Sequence, residues 1–309
     1  MNNNMHPLDS LSVDEIKKSV NIFKSDNNSD ENSVFSYISL EEPDKNFVKN
    51  YKVGDTFSRK TKIIGVDSSS KGFEASIDLN KEKVTSLNVI PDTAGPTYTM
   101  LEIMTAIQLT LENDEYQAAL EKRGITDLSL IQIDPWPGGG ITHEKIKEGH
   151  RALKTISFLK ESPEDNAYAR PISGLISHVD LTDKCIVEIE DQGISNLPEQ
   201  SAKYDAASQE VLRNRPKDIS ITQPDGSGFE VSNNEISWEG WSLRVSIDPI
   251  EGLVIHNLNL NKREIFYRAS MSDMVVPYGS ADPMHSWKAV HDGTEYGFGS
   301  LSNSLTLGC

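Results

Sequence analysis

The sequence predicts an α+β protein: two small modules, each a helix followed by an antiparallel sheet, and then the first strands of a β-sandwich. A capping-box helix start occurs twice, and each is followed by short strand-like runs separated by turn residues. After about residue 222 the sequence pattern changes to alternating aromatic and β-branched residues, which is typical of longer strands. The predicted division is a tail at 1–11, modules at 12–95 and 96–195, a linker at 196–222, and sandwich strands at 223–309.

The first module begins with a helix predicted over 13–24. Ser12 and Glu15 have capping-box spacing. Apolar residues follow at helical spacing, namely Val13, Ile16, Val20 and Phe23. Strands are then predicted at 34–40, 56–66, 73–79 and 83–90, each bounded by Gly, Pro, Asn or Ser.

The second module repeats this plan. Thr99 and Glu102 form another capping box before an apolar helical stripe, and Gly124 is placed to end the helical region. Strands are predicted near 128–133, 151–159, 171–180 and 184–190. Two modules of similar size and order therefore follow one another along the chain.

The third region predicts a hairpin about Asn233-Asn234 and a long strand. The apolar residues that carry this pattern are Ile236, Trp238, Trp241, Leu243, Val245 and Ile247. Turns at Asp248-Pro249 and Asn261-Lys262 separate two more strands. Because the pattern is still running at Cys309, we expect this chain to be an incomplete N-terminal segment.

Charge and hydropathy argue against two classes of function. The formal charge of −17 speaks against nucleic-acid binding, because phosphate contacts need clustered Lys and Arg. This charge suits a cationic ligand such as a protonated amine, although acidic surfaces also serve solubility. No apolar run is long enough for a membrane span, and the first residues lack a secretory signal pattern. The sequence predicts an intracellular protein, in the cytosol or the peroxisome.

Cysteine and histidine spacing gives no local metal or disulfide pattern. Cys185 and Cys309 are too far apart to form a disulfide framework, and the strand-like surroundings of Cys185 predict a buried, inert thiol. The seven histidines include no His-x-His or His-x-x-x-His pair. The run Pro137-Gly-Gly-Gly140 lacks the Lys-Ser/Thr of a phosphate loop, and we interpret it as a turn.

Three ordered motifs lie between 263 and 309. The first is Tyr267-Arg-Ala-Ser-Met-Ser-Asp-Met-Val-Val-Pro-Tyr-Gly279, the second is Asp292-Gly-Thr-Glu-Tyr-Gly297, and the third is Asn303-Ser-Leu-Thr-Leu-Gly-Cys309. In this order they resemble segments of the copper amine oxidases. The resemblance extends upstream to Trp241-Ser-Leu-Arg244 and to the opening His6-Pro-Leu-Asp9.

The resemblance implies a primary-amine oxidase that uses copper and topaquinone, a quinone made from a tyrosine of the protein itself. Such an enzyme converts a primary amine and oxygen into an aldehyde, ammonia and hydrogen peroxide, and it works as a homodimer. Asp292 matches the carboxylate that removes the α-proton, and Tyr278 matches the phenol that hydrogen-bonds a quinone oxygen. Val290 matches the gate position of the substrate channel, and we expect Trp287 to line the channel as well.

These residue types suit the chemistry. A carboxylate that takes a proton from carbon needs a pKa raised towards neutrality, and an apolar wall from Val290 and Trp287 would raise it. The phenol of Tyr278 can donate a hydrogen bond without adding a full charge. Without the family resemblance, Asp292 is instead a turn residue whose side chain hydrogen-bonds the backbone.

Two departures from the family pattern bear on activity. Thr294 stands where the family has glycine, and a β-branched residue is strained there if the backbone needs a positive φ. The Asn-Tyr-Asp/Glu precursor of the quinone and the His-x-His copper ligands are absent, since Asn50-Tyr51 precedes Lys52. We therefore expect that this chain alone assembles neither cofactor and is inactive. The alternative is a truncated, catalytically silent paralogue that acts as a binding or regulatory module.

Overall fold

A computed structural model gives the positions of residues 5–138, 143–163, 165–201, 203, 206–214 and 216–299. Within these ranges the chain forms two compact units. The first unit contains the residues up to 99 together with 223–275 and those from 291 onwards, and the second contains 100–222 and 276–290. Among the described residues, no helix combines the length and the apolar character needed to cross a membrane.

The first unit opens with helix α1, Val13–Ser25, which begins at the predicted capping box. The Glu15 amide donates to Ser12 Oγ at 3.2 Å, and the Ser12 amide donates to the Glu15 carboxylate at 2.8 Å. A second helix, α2, Lys45–Asn50, was not predicted. Its six residues are too few to display a helical period, and Asp44 caps it by accepting two backbone amides.

Four antiparallel strands form the first sheet in chain order, namely β1 (Val34–Leu40), β2 (Lys60–Val66), β3 (Gly72–Asp78) and β4 (Lys83–Val89). The predicted strands are confirmed, although β2 begins at Lys60 rather than at residue 56. Along most of β2 and β3, buried and half-exposed residues alternate, which is typical of a sheet that packs one face on a core. Phe23 of α1 lies on that face, stacked on Phe73 with ring centroids 5.0 Å apart.

The second unit begins with two helices, α3 (Met100–Leu111) and α4 (Asp114–Glu121), where one helical region was predicted. The break lies at Asn113, whose side-chain oxygen accepts the Tyr116 amide at 2.9 Å and so starts a new helix. Gly124 follows α4 with φ of +73°, as predicted for the end of the helical region.

The second sheet also has four antiparallel strands in chain order, namely β5 (Ile131–Trp136), β6 (Ala152–Leu159), β7 (Leu175–Asp180) and β8 (Cys185–Asp191). Its inner face packs on Tyr116, whose hydroxyl is 2.6 Å from Ser157 Oγ and whose pKa burial raises to about 12. Every residue of β7 is buried, so the other face of the sheet is covered too.

The prediction of a buried thiol at Cys185 is wrong. Cys185 is exposed, because it is the first residue of β8, and β8 is the edge strand of the second sheet.

Five antiparallel strands form the third sheet, which belongs to the first unit: β9 (Glu230–Ser232), β10 (Glu235–Trp238), β11 (Trp241–Asp248), β12 (Gly252–Leu260) and β13 (Arg263–Ala269). The predicted long strand is divided between β10 and β11. Glu239 and Gly240 have φ of 46° and 85°, which makes a two-residue hairpin turn. Asn261 and Lys262 form a second such turn, with φ of 49° and 65°.

Ion pairs attach this third sheet to the first module within the first unit. Arg244 of β11 donates to Asp9 at 2.6 Å. Arg268 of β13 donates to Glu42 at 2.9 Å and to Glu251 at 2.6 Å. The predicted α+β class, two helix-and-sheet modules followed by antiparallel strands, is confirmed.

Candidate active site

The predicted site residues lie on a hairpin and on the turn that follows it. Strand β14 (Val275–Pro277) pairs with strand β15 (Ala289–His291), and residues Asp292–Tyr296 then form a single π-helical turn. Tyr278, Trp287 and Val290 belong to the second unit, whereas Asp292 belongs to the first. Each unit therefore carries part of the predicted set.

Asp292 opens the π-helical turn in the first unit. Its amide donates to the Met274 carbonyl at 2.9 Å, and its side chain is half-buried. Within the described part of the chain, its carboxylate has no hydrogen-bond or ion-pair partner, so it lacks the side-chain-to-backbone bonds of a turn aspartate. A carboxylate left open in this way is available to a ligand.

Asp273, which the sequence analysis did not single out, holds this turn in place. Its carboxylate is 2.9 Å from His291 Nδ1, and it accepts the Thr294 hydroxyl at 3.0 Å and the Met274 amide at 2.7 Å. Burial opposes ionisation, but these hydrogen bonds hold the pKa of Asp273 below its usual range. No local signal points to Asp273, because its partner His291 lies 18 residues further along the chain.

Thr294 is accommodated without backbone strain. The residue does not have a positive φ, which falls instead on Gly297 and Gly299. Its hydroxyl bonds Asp273, and its carbonyl accepts the Thr97 hydroxyl at 2.8 Å. The strain considered for a β-branched residue at this position therefore does not arise.

Glu295 adds a second partly buried acid to the turn. Its carboxylate accepts the His291 amide at 2.8 Å. Burial raises the pKa of Glu295, and the charges of Asp273 and Asp292 add to this effect. The turn thus concentrates negative charge, which favours a cationic ligand over an anionic one.

Tyr278 follows β14 in the second unit. Its amide donates to the Lys288 carbonyl at 3.0 Å, and its ring lies edge-on to Trp136 with centroids 5.6 Å apart. The residue is 46% exposed, so its ring is supported on one side and open on another.

Trp287 and Val290 are both buried. Val290 is 1% exposed on β15, and Trp287 is 9% exposed within an apolar cluster on the outer face of the second sheet. The other members of this cluster are Ile156, Phe158, Ala167, Ile176 and Met284, with Trp136 packed against it. This cluster covers Ile176 on the outer face of β7, while the gate and channel roles of Val290 and Trp287 stay predictions.

Lys288 lies at the centre of the aromatic residues of the second unit, although nothing in the sequence marked it. It is 3% exposed, with Nζ 3.7 Å from the Trp136 ring centroid. Burial lowers the pKa of Lys288 to about 8, against the opposing charge of Asp134. Sequence analysis missed this residue because lysine is almost never fully buried.

Among the described residues, one group of at least three metal-binding side chains has its ligand atoms close together, and it consists of His150, Asp180 and Asp183. This group has one histidine and two carboxylates. Asp183 is already paired with Lys147 at 2.6 Å.

Asp180 is better explained as a structural turn residue. It accepts the Thr182 and Asp183 amides, both at 2.9 Å. Asp78 in the first module accepts the amides two and three residues further on in the same manner, at 3.0 and 2.9 Å. A geometry that recurs with different neighbours needs no metal to account for it.

Three family models match the chain in order. They are the copper amine oxidase N2 domain at 6–90, the N3 domain at 102–209 and the enzyme domain at 230–309. A primary amine oxidase from Arthrobacter sp. is 34% identical over 98% of this chain and 47% of its own length. A histamine oxidase from Arthrobacter globiformis is 34% identical over 98% of this chain and 45% of its own length. The chain thus spans about half the length of the curated relatives it matches.

A solved benzylamine oxidase from Hansenula polymorpha has the same fold. Its TM-score is 0.83 at 23% identity, over 99% of this chain and 50% of that one. The modules and the ordered motifs define a multidomain oxidase scaffold. The chain belongs to the copper amine oxidase family, and its two modules and its third region match the N2, N3 and enzyme domains respectively.

Proposed function

We propose that this chain is part of a primary-amine oxidase, which converts a primary amine and oxygen into an aldehyde, ammonia and hydrogen peroxide. The proposal is carried by the 34% identity to a primary amine oxidase over 98% of the chain. The oxidation depends on copper and topaquinone. Their ligands and precursor tyrosine are not found in this sequence, so residues outside it would supply them.

In this proposal Asp292 takes the α-proton of the amine. Its half-buried carboxylate has no partner among the described residues, and the acidic turn around it suits a protonated amine. Tyr278 orients the quinone through its phenol, and Val290 and Trp287 border the substrate channel. The same proposal includes a homodimer and a cytosolic or peroxisomal location.

The variant Asp292→Asn tests the role of the base. An amide cannot accept the proton, so kcat/KM for amine-dependent hydrogen peroxide release should fall by about 10²- to 10⁴-fold. Asp225→Asn removes an exposed carboxylate from a loop of the first unit and is the matched control, with an unchanged rate expected. If Asp292→Asn keeps the wild-type rate, Asp292 is not the base.

The intact mass of the protein purified from its own source separates the proposal from the alternative. A mass about twice the 34.3 kDa of this chain, with amine-dependent peroxide release, supports the oxidase, since the chain spans 47% of its relative. A mass of 34.3 kDa without peroxide release overturns it and favours a binding or regulatory module. Light scattering and cell fractionation test the homodimer and the location.

A further inference from the structure

Lys288 is a buried cation enclosed by aromatic rings of the second unit. Its Nζ lies 3.7 Å from the ring centroid of Trp136, 5.2 Å from that of Tyr278 and 5.7 Å from that of Trp287. Within the described ranges, no carboxylate lies at ion-pair distance from this ammonium. The ring faces are therefore the main attractive partners of its charge, as in other cation–π contacts.

The same lysine also holds Tyr278 through the main chain. The Tyr278 amide donates to the Lys288 carbonyl at 3.0 Å. The Tyr278 and Trp136 rings form an edge-to-face contact with centroids 5.6 Å apart. Lys288 thus contacts the tyrosine at its backbone and at its ring. Tyr278 is 46% exposed, and an exposed side chain samples several orientations within nanoseconds unless its neighbours fix it.

Asp134 acts on the charge of Lys288, and two further titratable groups contact the same aromatic rings. Asp134 of β5 favours the ammonium, and burial raises the pKa of Asp134 itself. Lys154 Nζ of β6 lies 4.7 Å from the ring centroid of Trp287. The ring of His285, a residue that precedes β15, lies parallel to the Tyr278 ring with centroids 6.1 Å apart. Burial outweighs Asp134, so the pKa of Lys288 falls to about 8 and its ammonium loses its charge as the pH rises past that value.

We propose that Lys288 is a positioning residue for Tyr278, whose ring its ammonium fixes against Trp136 so that the phenol is presented in one orientation. An apolar side chain of similar length would fill the same space without the cost of burying a charge, but it would not attract both rings. The inference rests on the proposed function only for what this orientation serves, which is contact with a quinone. The positioning itself is a property of this chain.

Fluorine NMR of the protein with 3-fluorotyrosine in place of Tyr278 tests this role at pH 6.5. A ring fixed against Trp136 should give a ¹⁹F shift displaced from that of the free amino acid by the indole ring current. In Lys288→Met, which keeps the stem but loses the charge, we expect the line to move towards the free value. In Lys288→Arg the guanidinium still stacks on aromatic faces, so the displaced line should be retained.

Lys122→Met removes an exposed lysine at the end of α4 and is the matched control, with the wild-type line expected. A wild-type line in a folded Lys288→Met protein overturns the positioning role. This result does not depend on peroxide release, so the positioning inference and the oxidase proposal can fail separately.

A pH series on the unmutated lysine covers the case in which Lys288→Met does not fold. With 3-fluorophenylalanine in place of Tyr278, the label has no ionisable group, and its displaced line should move towards the free value between pH 7 and 10. The same label in Lys288→Arg should not move, because the guanidinium stays charged in this range. A line that stays constant from pH 7 to 10 with Lys288 in place overturns the proposal.

Discussion

Each of the two α+β modules contains an ion pair of the same kind, with a buried arginine. In the first, Arg59 precedes β2 and binds Glu15, the third residue of α1, at 2.7 Å. In the second, Arg151 precedes β6 and binds Glu102, the third residue of α3, at 3.1 Å. Each pair joins the start of a helix to the start of the second strand of its sheet.

The turn after the third strand is repeated as well. The Leu79 and Leu181 amides each donate to the carbonyl of the neighbouring arginine at 2.9 Å. Just before them, Asp78 and Asp180 each accept two backbone amides of the turn. Helix start, second strand and third strand therefore meet at one hydrogen-bonded point in both modules.

The modules differ in the outer face of the sheet. In the first sheet, β2 and β3 alternate buried and half-exposed residues over most of their length. In the second, β7 is buried throughout, and Met284 and Trp287 belong to the cluster that covers Ile176 on its outer face. The same arrangement of helix and sheet thus forms a one-sided sheet in the first module and supports the segment that carries Tyr278 in the second.

The largest expected effect tests the arginine–glutamate ion pair that both modules contain. Arg59→Met and Arg151→Met each remove the arginine from a glutamate that is 18% or 14% exposed, so we expect each to lower the free energy of unfolding by about 3 kcal/mol. Urea unfolding followed by circular dichroism measures this loss. The double variants with Glu15→Leu or Glu102→Leu should lose less, because no charge is then stranded. A small loss for only one arginine would break the equivalence of the modules.

The next effect tests the difference between the sheets. Ile176→Ala leaves a cavity under the covering cluster and should cost about 2–5 kcal/mol. Ile64→Ala, on a half-exposed position of β2, should cost about 1 kcal/mol or less. The urea midpoints of the two variants provide the measurement. Equal losses would mean that the outer faces of the two sheets are packed alike.

The smallest expected effect tests whether the Arg59–Glu15 ion pair depends on the helix cap at Ser12. Ser12→Ala removes the hydroxyl that accepts the Glu15 amide, so α1 should lose about 1 kcal/mol of stability. Thermal unfolding by circular dichroism detects it, with Ser69→Ala, at an exposed loop position of the same module, as the control. A loss as large as that of Arg59→Met would show that the ion pair forms only when the cap is intact.

Local sequence was sufficient for most of the regular structure. The strands of the first sheet were predictable because their short runs are bounded by Gly, Pro, Asn or Ser, and polar and apolar residues alternate along β3. It was insufficient for short elements, such as α2 and the Glu239–Gly240 turn, because a few residues cannot display a period. The break at Asn113 was missed because the helical stripe continues on both sides of it.

The residues of the candidate site likewise divide into those that local sequence predicted and those that it missed. Asp292 and Tyr278 were found because they occupy fixed positions in ordered motifs. Asp273 and Lys288 were missed because their roles are set by partners in space, His291 for the aspartate and the Trp136 ring for the lysine. The burial of Lys288 reflects packing on a sheet that is distant in sequence, which spacing alone cannot express.

During synthesis at the ribosome, the cluster around Trp287 stays incomplete for some time. The second sheet ends at Asp191, whereas its covering residues Met284 and Trp287 emerge roughly a hundred residues later, which at cellular elongation rates is a delay of about 5–20 s. During that interval the nascent chain exposes Ile156, Phe158 and Ile176 without their cover. We expect the second module to be a site of chaperone binding in the growing chain.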